Sequence, residues 1–267
     1  MDMFTSEFND FIQNCTVQKQ YNLVNGKFGK ISVYKHEPTQ KELFFKYIKT
    51  KHFNPIESYV HYLMKDNKFF IKLFYSFNCL RGHLLIMDFI KDGDLFDRLK
   101  NDRRRFSENE VKLIVSQLCD ALSALHSHRI IHNDIKLENI LCTNKLRIYL
   151  CDYGLCKHIG SETIYDGTVD YFSPEKIDKR PCDVYFDWWA IGVLTYELIT
   201  GKHPYTFYEN EDLTLEKLQA RQQAKIEFPD SKCSTRLQNF INNMLKYNIN
   251  YRLTTYKQIK QHVFFNI

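Results

Sequence analysis

The chain has 267 residues, 44% of them hydrophobic and 26% charged, with a formal net charge of +5. That length suits a single catalytic unit with a sizeable core, and no apolar run approaches the ~20 residues needed to span a bilayer. The eight cysteines include no C-x-x-C pair and no zinc spacing with histidine, so reduced thiols in an intracellular compartment are expected.

Residues 1–10 are acidic where a secretory leader would be basic, which argues against secretion. Within an N-terminal segment 1–19, Phe4, Phe8, Phe11, Ile12 and Cys15 recur at helical spacing among polar residues and predict an amphipathic helix. The favoured reading packs it on its own small lobe; a homodimer contact is the alternative. Residues 20–48 and 70–89 are rich in Tyr, Phe, Val and Ile between turn signals, which predicts a small antiparallel sheet. Asn54 followed by Pro55 marks a helix start, since Asn can cap and Pro fits the first turn. The basic run Lys100-Asn-Asp-Arg-Arg-Arg105 reads as a solvated loop; direct nucleic-acid contact is compatible with its charge but not expected. Ser107-Glu-Asn-Glu110 has the pattern of a capping box opening a long helix to about His128, and helical patterns dominate from there on.

The chemistry concentrates in His132-Asn133-Asp134-Ile135-Lys136-Leu137-Glu138-Asn139 and, after a strand-like run 146–151, in Asp152-Tyr153-Gly154. Moving a phosphoryl group is mostly positioning and charge neutralisation. It needs a carboxylate to accept the hydroxyl proton, a cation near the γ-phosphate, and oxygen ligands for Mg²⁺. Asp134, Lys136 and the pair Asn139 and Asp152 can fill those roles in that order. Taken singly, Asp134 could be a capping carboxylate and Asn139 a turn residue. Their joint spacing with Lys136 and Asp152 favours the catalytic reading.

With these motifs the chain resembles the eukaryotic-type protein kinases from roughly Tyr21 to Phe265. Leu23-Val24-Asn25-Gly26-Lys27-Phe28-Gly29-Lys30-Ile31 looks like the glycine-rich phosphate loop, where side chains at Gly26 and Gly29 would block backbone N–H groups from the phosphates. Phe44-Phe45-Lys46 looks like the strand carrying the phosphate-binding lysine, Ser173-Pro174-Glu175 like the end of the activation segment, and Asp187–Gly192 like the buried anchoring helix. Arg252 sits where the family keeps an arginine paired with the glutamate at Glu175. More narrowly, His132–Asn139 together with Cys151–Cys156 is similar to the baculovirus protein kinase 1 group.

The resemblance implies an α+β, bilobal protein kinase fold, with a small antiparallel-sheet N-lobe over 20–88 and a mainly helical C-lobe over 89–267. It implies an ATP- and Mg-dependent serine/threonine protein kinase. ATP would be held by Val24, Gly26, Phe28, Gly29, Ile31, Phe44, Lys46, Met87, Asp88, Ile90 and Leu141, with Glu57 pairing with Lys46. Lys136 together with Thr168 points to Ser or Thr as acceptor. Asp94, Glu138, Asp170 and Glu197 fall where arginine-preferring members line the peptide groove with acids. The implied partner is a basic protein substrate, in the viral case an arginine-rich, protamine-like packaging protein, met in the host nucleus or cytoplasm or with the virion. Three departures qualify the match. Asn133 replaces the arginine that clamps an activation-segment phosphate, leaving Lys157 as a cation for a phosphate on Thr163 or Tyr165, so activity should depend little on phosphorylation there. Val24 replaces the first loop glycine and should stiffen or reshape the loop tip, and Phe44 replaces the small residue over the adenine pocket, so its ring must tilt away or narrow the site. The alternative function is a pseudokinase scaffold that binds partners through the fold.

Overall fold

The computed structural model describes residues 2–21, 28–101, 105–205, 213–228 and 233–266. They form two compact units, one comprising residues 1–66 and 70–91 and the other 67–69 and 92–267. The first is built on a sheet and the second mainly on helices, so the fold class is α+β.

The sheet unit opens with helix α1 (Asp2–Gln13), then β1 (Cys15–Tyr21), β2 (Phe28–His36), β3 (Lys41–Lys49), α2 (Pro55–Leu63), β4 (Leu73–Cys79) and β5 (Gly82–Asp88). Its five strands are antiparallel in the order β1-β2-β3-β5-β4. The segment 1–19 is therefore not helical throughout, and the sheet starts before residue 20. Thr16, Val17 and Gln18 are exposed on an edge strand, and the short alternation of Cys15 and Val17 merges with the helical stripe before it, since Cys15 also fits the helix spacing. The apolar stripe of α1 does what its spacing predicts: Phe8, Phe11 and Ile12 pack on the sheet core of Leu43, Phe45 and Ile86. Phe8 meets Phe77 edge-on at 4.6 Å between centroids, and Phe11 lies 4.8 Å from Tyr75. Rings in such arrangements add to the area they bury. In α2, Asn54 accepts from the Ile56 N–H and Pro55 occupies the first turn, a cap worth about 1 kcal/mol.

The helical unit runs α3 (Leu95–Asn101), α4 (Glu108–Ser127), β6 (Ile130–Ile131), β7 (Ile140–Cys142), β8 (Ile148–Leu150), β9 (Lys157–His158), α5 (Pro174–Ile177), α6 (Tyr185–Thr200), α7 (Leu215–Gln222), α8 (Thr235–Met244) and α9 (Tyr256–Lys260). The capping box of α4 forms as the pattern predicts, with Ser107 accepting from the Glu110 N–H and the Glu110 carboxylate accepting from the Ser107 N–H. α6 is buried on every side, packed against α4 and α8, as expected of a helix that is apolar all round. Gly192 lets α8 approach, because a Cβ there would stand 2.7 Å from Leu245 Cδ2. At the start of α6, the buried Asp187 carboxylate accepts from the N–H groups of His132 and Asn133, each at 2.8 Å, and meets His126 Nε2 at 2.8 Å. A helix thus holds the loop that bears Asp134. Glu175 is gripped by Arg252 through two bonds of 2.7 and 2.9 Å.

Candidate active site

In the helical unit three side chains converge on the Asp134 carboxylate. Oδ1 accepts from the Thr168 N–H and hydroxyl, both at 2.9 Å. Oδ2 accepts from Asn139 Nδ2 at 3.1 Å and lies 3.4 Å from Lys136 Nζ. Lys136 also donates to the Thr168 hydroxyl at 2.8 Å, and Asn139 Nδ2 donates to the Asp134 carbonyl at 2.7 Å. A carboxylate so held is fixed in orientation beside a cation, as the positioning of a base for a hydroxyl proton requires.

Asp152 follows directly on Cys151, whose backbone is tied to the same loop. The Cys151 N–H donates to the Asn139 carbonyl at 3.0 Å, and His132 Nε2 donates to the Cys151 carbonyl at 3.0 Å. Asp152 itself is left-handed, with φ +60°, a conformation that costs a non-glycine residue energy and recurs at functional sites. The Asn139 amide nitrogen is committed to Asp134, so its oxygen is the end that can face a cation. Among the described residues no three His, Cys, Asp or Glu side chains gather as a metal-binding group. One amide oxygen and one carboxylate form a hard-donor set that suits Mg²⁺, an ion that habitually completes its shell with water and substrate phosphates.

The sheet unit carries the second group. Lys46, on β3, donates to Glu57 Oε1 of α2 at 2.7 Å, both buried. Ile31 pairs with Lys46 across β2 and β3, and Phe44 with the buried Met87 across β3 and β5. The Phe44 ring runs parallel to Phe89 at 6.4 Å. Phe28 and Gly29 open β2; Val24 and Gly26 lie outside the described residues, as do residues 102–104 of the basic run. Asp88 donates its N–H to the Lys72 carbonyl, and burial pushes its carboxyl up. Ile90 is half-buried. Leu141, in the helical unit, lies on β7 and bridges to Asp94.

The four acids expected in the peptide groove form one electrostatic set within the helical unit. Asp94 also accepts from the Asp97 N–H at the head of α3, and burial, then Asp97 and Glu138, raise its carboxyl above the usual range. Glu197 is pushed up to about 8 by burial, helped by Glu138 and Asp170 and opposed by a hydrogen bond from the Tyr171 hydroxyl. Glu197 therefore mostly keeps its proton at neutral pH until a cation is brought beside it. Tyr171 was not expected as part of this group; no local pattern marks it, because its partner is 26 residues away.

The reading of Lys157 needs correction. Its ammonium is not waiting for a phosphate but lies 3.0 Å from Asp166 Oδ2. Thr163 is buried and donates to the Arg180 carbonyl, and the Tyr165 hydroxyl donates to the Ile177 carbonyl at 2.7 Å. Asp166 and Lys176 had no place in the sequence-based site, since their contacts with Asn133 span 33 and 43 residues.

Residues 17–265 match the family described as "Protein kinase domain". The chain is 51% identical over 265 residues to "Serine/threonine-protein kinase 1" of Lymantria dispar multicapsid nuclear polyhedrosis virus, covering 99% of this chain and 96% of that one. It is 49% identical over 265 residues to the protein of the same description from Heliothis zea nuclear polyhedrosis virus, covering 98% of each. Among solved structures, that of the Cydia pomonella Granulovirus kinase, PK-1, superposes with a TM-score of 0.91 at 35% identity and full coverage of both chains.

Proposed function

Because this chain belongs to the protein kinase family, as a serine/threonine kinase of the baculovirus type, we propose that it transfers the γ-phosphate of ATP to serine or threonine in arginine-rich protein segments. The observation that carries this reading is the convergence of Lys136, Asn139 and Thr168 on one carboxylate of Asp134.

Asp134 takes the proton of the acceptor hydroxyl. Its orientation comes from Thr168 and Asn139, so the oxygen that receives the proton is set before substrate arrives. Lys136 stands beside that carboxylate and offers positive charge to the phosphoryl group as it moves. Lys46, braced by Glu57, supplies a further ammonium for the nucleotide phosphates. Asn139 and Asp152 are the residues that would hold Mg²⁺, which when bound neutralises charge on the phosphate oxygens. Thr168, on the activation segment, ties the ledge that meets the acceptor peptide to the base itself. Asp94, Glu138, Asp170 and Glu197 favour arginine in the peptide. The viral source of the relatives supports an intracellular place of action; by analogy the proposal extends to the host nucleus or cytoplasm or the virion as the place, and to a small arginine- and serine-rich packaging protein as the substrate. No helix among the described residues is long and apolar enough to cross a membrane.

The test is transfer of labelled phosphate to a serine peptide flanked by arginine, with and without chelation of Mg²⁺. Replacing Asp134 by Asn should lower kcat by on the order of 10²-fold or more, the usual worth of a positioned general base. Equal transfer by wild type and Asp134→Asn would remove the proposal and favour a scaffold.

A further inference from the structure

The activation segment meets the loop bearing Asp134 at a second carboxylate, which the transfer chemistry does not use. Asp166 is half-buried. Its Oδ1 accepts from Asn133 Nδ2 at 2.9 Å and lies 3.5 Å from Lys176 Nζ, while Oδ2 lies 3.0 Å from Lys157 Nζ. Lys176 closes the ring. Almost fully buried on α5, its ammonium donates to Asn133 Oδ1 at 2.7 Å and to the Asp166 carbonyl at 2.6 Å, and sits 4.3 Å from the centre of the Phe172 ring. Asn133 Nδ2 reaches on to the Leu155 carbonyl at 2.9 Å. Four separate stretches of chain are thereby joined: the loop next to Asp134, the strand after Asp152, the middle of the activation segment and the helix that ends it.

The joint is directly geared to the transfer residues. Asn133 adopts φ +70°, held from behind by Asp187. Gly167, next after Asp166, has φ +93°, and a Cβ there would stand 3.1 Å from the Asn133 carbonyl and 3.2 Å from Asp134 Oδ1. The segment therefore lies flat against the loop, and the following residue, Thr168, makes its two bonds to Asp134. Burying an ammonium as deeply as that of Lys176 is unfavourable unless it is paired, and Asp166 and Asn133 supply the partners.

An activation segment is commonly ordered by a phosphate that recruits basic side chains. Here both cations are already engaged by Asp166, and the Thr163 and Tyr165 hydroxyls are already bonded to backbone carbonyls. We propose that Asp166, with Lys157, Lys176 and Asn133, is a built-in clamp that takes the place of an activation-segment phosphate and holds Asp134 and Thr168 in position for transfer. The inference rests on the kinase reading above. Asp166, Lys157 and Lys176 are positioning residues, acting through Asn133 and Gly167. In keeping with the clamp, burial alone would push the Asp166 carboxyl up, but Asn133, Lys157 and Lys176 outweigh it and hold it below the usual range.

The experiment compares wild type, Asp166→Asn, Lys157→Gln and the double variant for kcat and for the KM of peptide and ATP, with thermal melting as a check on folding. Wild type stripped of phosphate by a protein phosphatase should keep its kcat. Asp166→Asn should lose about tenfold or more in kcat with little change in the KM for ATP, a size typical of coupled neighbours. Lys157→Gln should lose less, and should cost nothing further once Asp166 is already Asn, since groups acting as one unit are not additive. Lys157 is partly exposed, so its variant reports even where Asp166→Asn fails to fold. Inactivation by phosphatase, additive losses, or a Lys157→Gln enzyme with the kcat of wild type would each overturn the clamp. A wild type that transfers no phosphate at all would instead overturn the kinase reading.

Discussion

In the peptide-binding role proposed above, Glu197 would make substrate choice depend on pH. Burial and the neighbouring Glu138 and Asp170 raise its carboxyl to about 8, so it is mostly neutral at pH 7 and ionised at pH 9. A guanidinium brought beside it gains a full charge partner only when the proton has left. The KM for a peptide with arginine at the contacting position should therefore fall as pH rises from 7 to 9, by up to about tenfold, since each pKa unit is worth 1.36 kcal/mol. The Glu197→Gln variant should show a flat profile over that range, and a wild type already flat there would refute the assignment. The same shift affects stability in the opposite sense. A carboxyl raised in the folded state favours folding below its ordinary 4.5, and that advantage is lost as pH rises through about 8.

At the level of single elements, α2 carries the clearest consequence. Its His61 is buried, bonded through Nδ1 to the Ile71 carbonyl at 3.3 Å, and burial holds its imidazole down to about 4 from an ordinary 6.5. A depressed folded value means that the stability is fully present above pH 6.5 and drains away as pH falls through about 4. The wild type should lose on the order of 3 kcal/mol more than His61→Leu between pH 7 and pH 4, read from urea melts of both. An equal acid sensitivity of the two proteins would show that another group controls that helix.

Elements with strong local chemistry were readable in advance. The capping box of α4, the Asn54-Pro55 start of α2, the stripe of α1 and the Asp134-to-Asn139 loop each depend on residues within a turn or two of one another. The pairing of Lys46 with Glu57 follows from the kinase resemblance, which asks for a glutamate on the helix after the lysine strand, and the structure forms it. Polar contacts between distant residues carry no such local signal. The apolar alternation of β1 is brief and shares Cys15 with the stripe of α1, and the Asp166 joint and the Tyr171–Glu197 bond rest on contacts spanning 33, 43 and 26 residues. Only the folded chain brings such groups together.

For the molecule as a whole, the Glu175–Arg252 pair joins the end of the activation segment to the last part of the chain. Arg252 is almost wholly buried, bonds the Lys246 and Tyr247 carbonyls as well as Glu175, and lies 4.6 Å from the Trp189 ring. Truncating one member of a buried pair leaves the other charged and unpartnered, which costs about 3–5 kcal/mol. Arg252→Ala should lower global stability by that amount in denaturant melts, far more than the loss of an exposed ion pair such as Lys35–Glu37. Indistinguishable melting curves would show that solvent or another cation takes over.

The burial of α6 on all sides has a consequence during synthesis. The helix emerges from the ribosome before α8, which covers part of it, has been made. Until Thr235–Met244 follows, the face of α6 around Gly192, which packs on Met244 and Leu245, lies uncovered, and a nascent chain in that state is a natural client for chaperones.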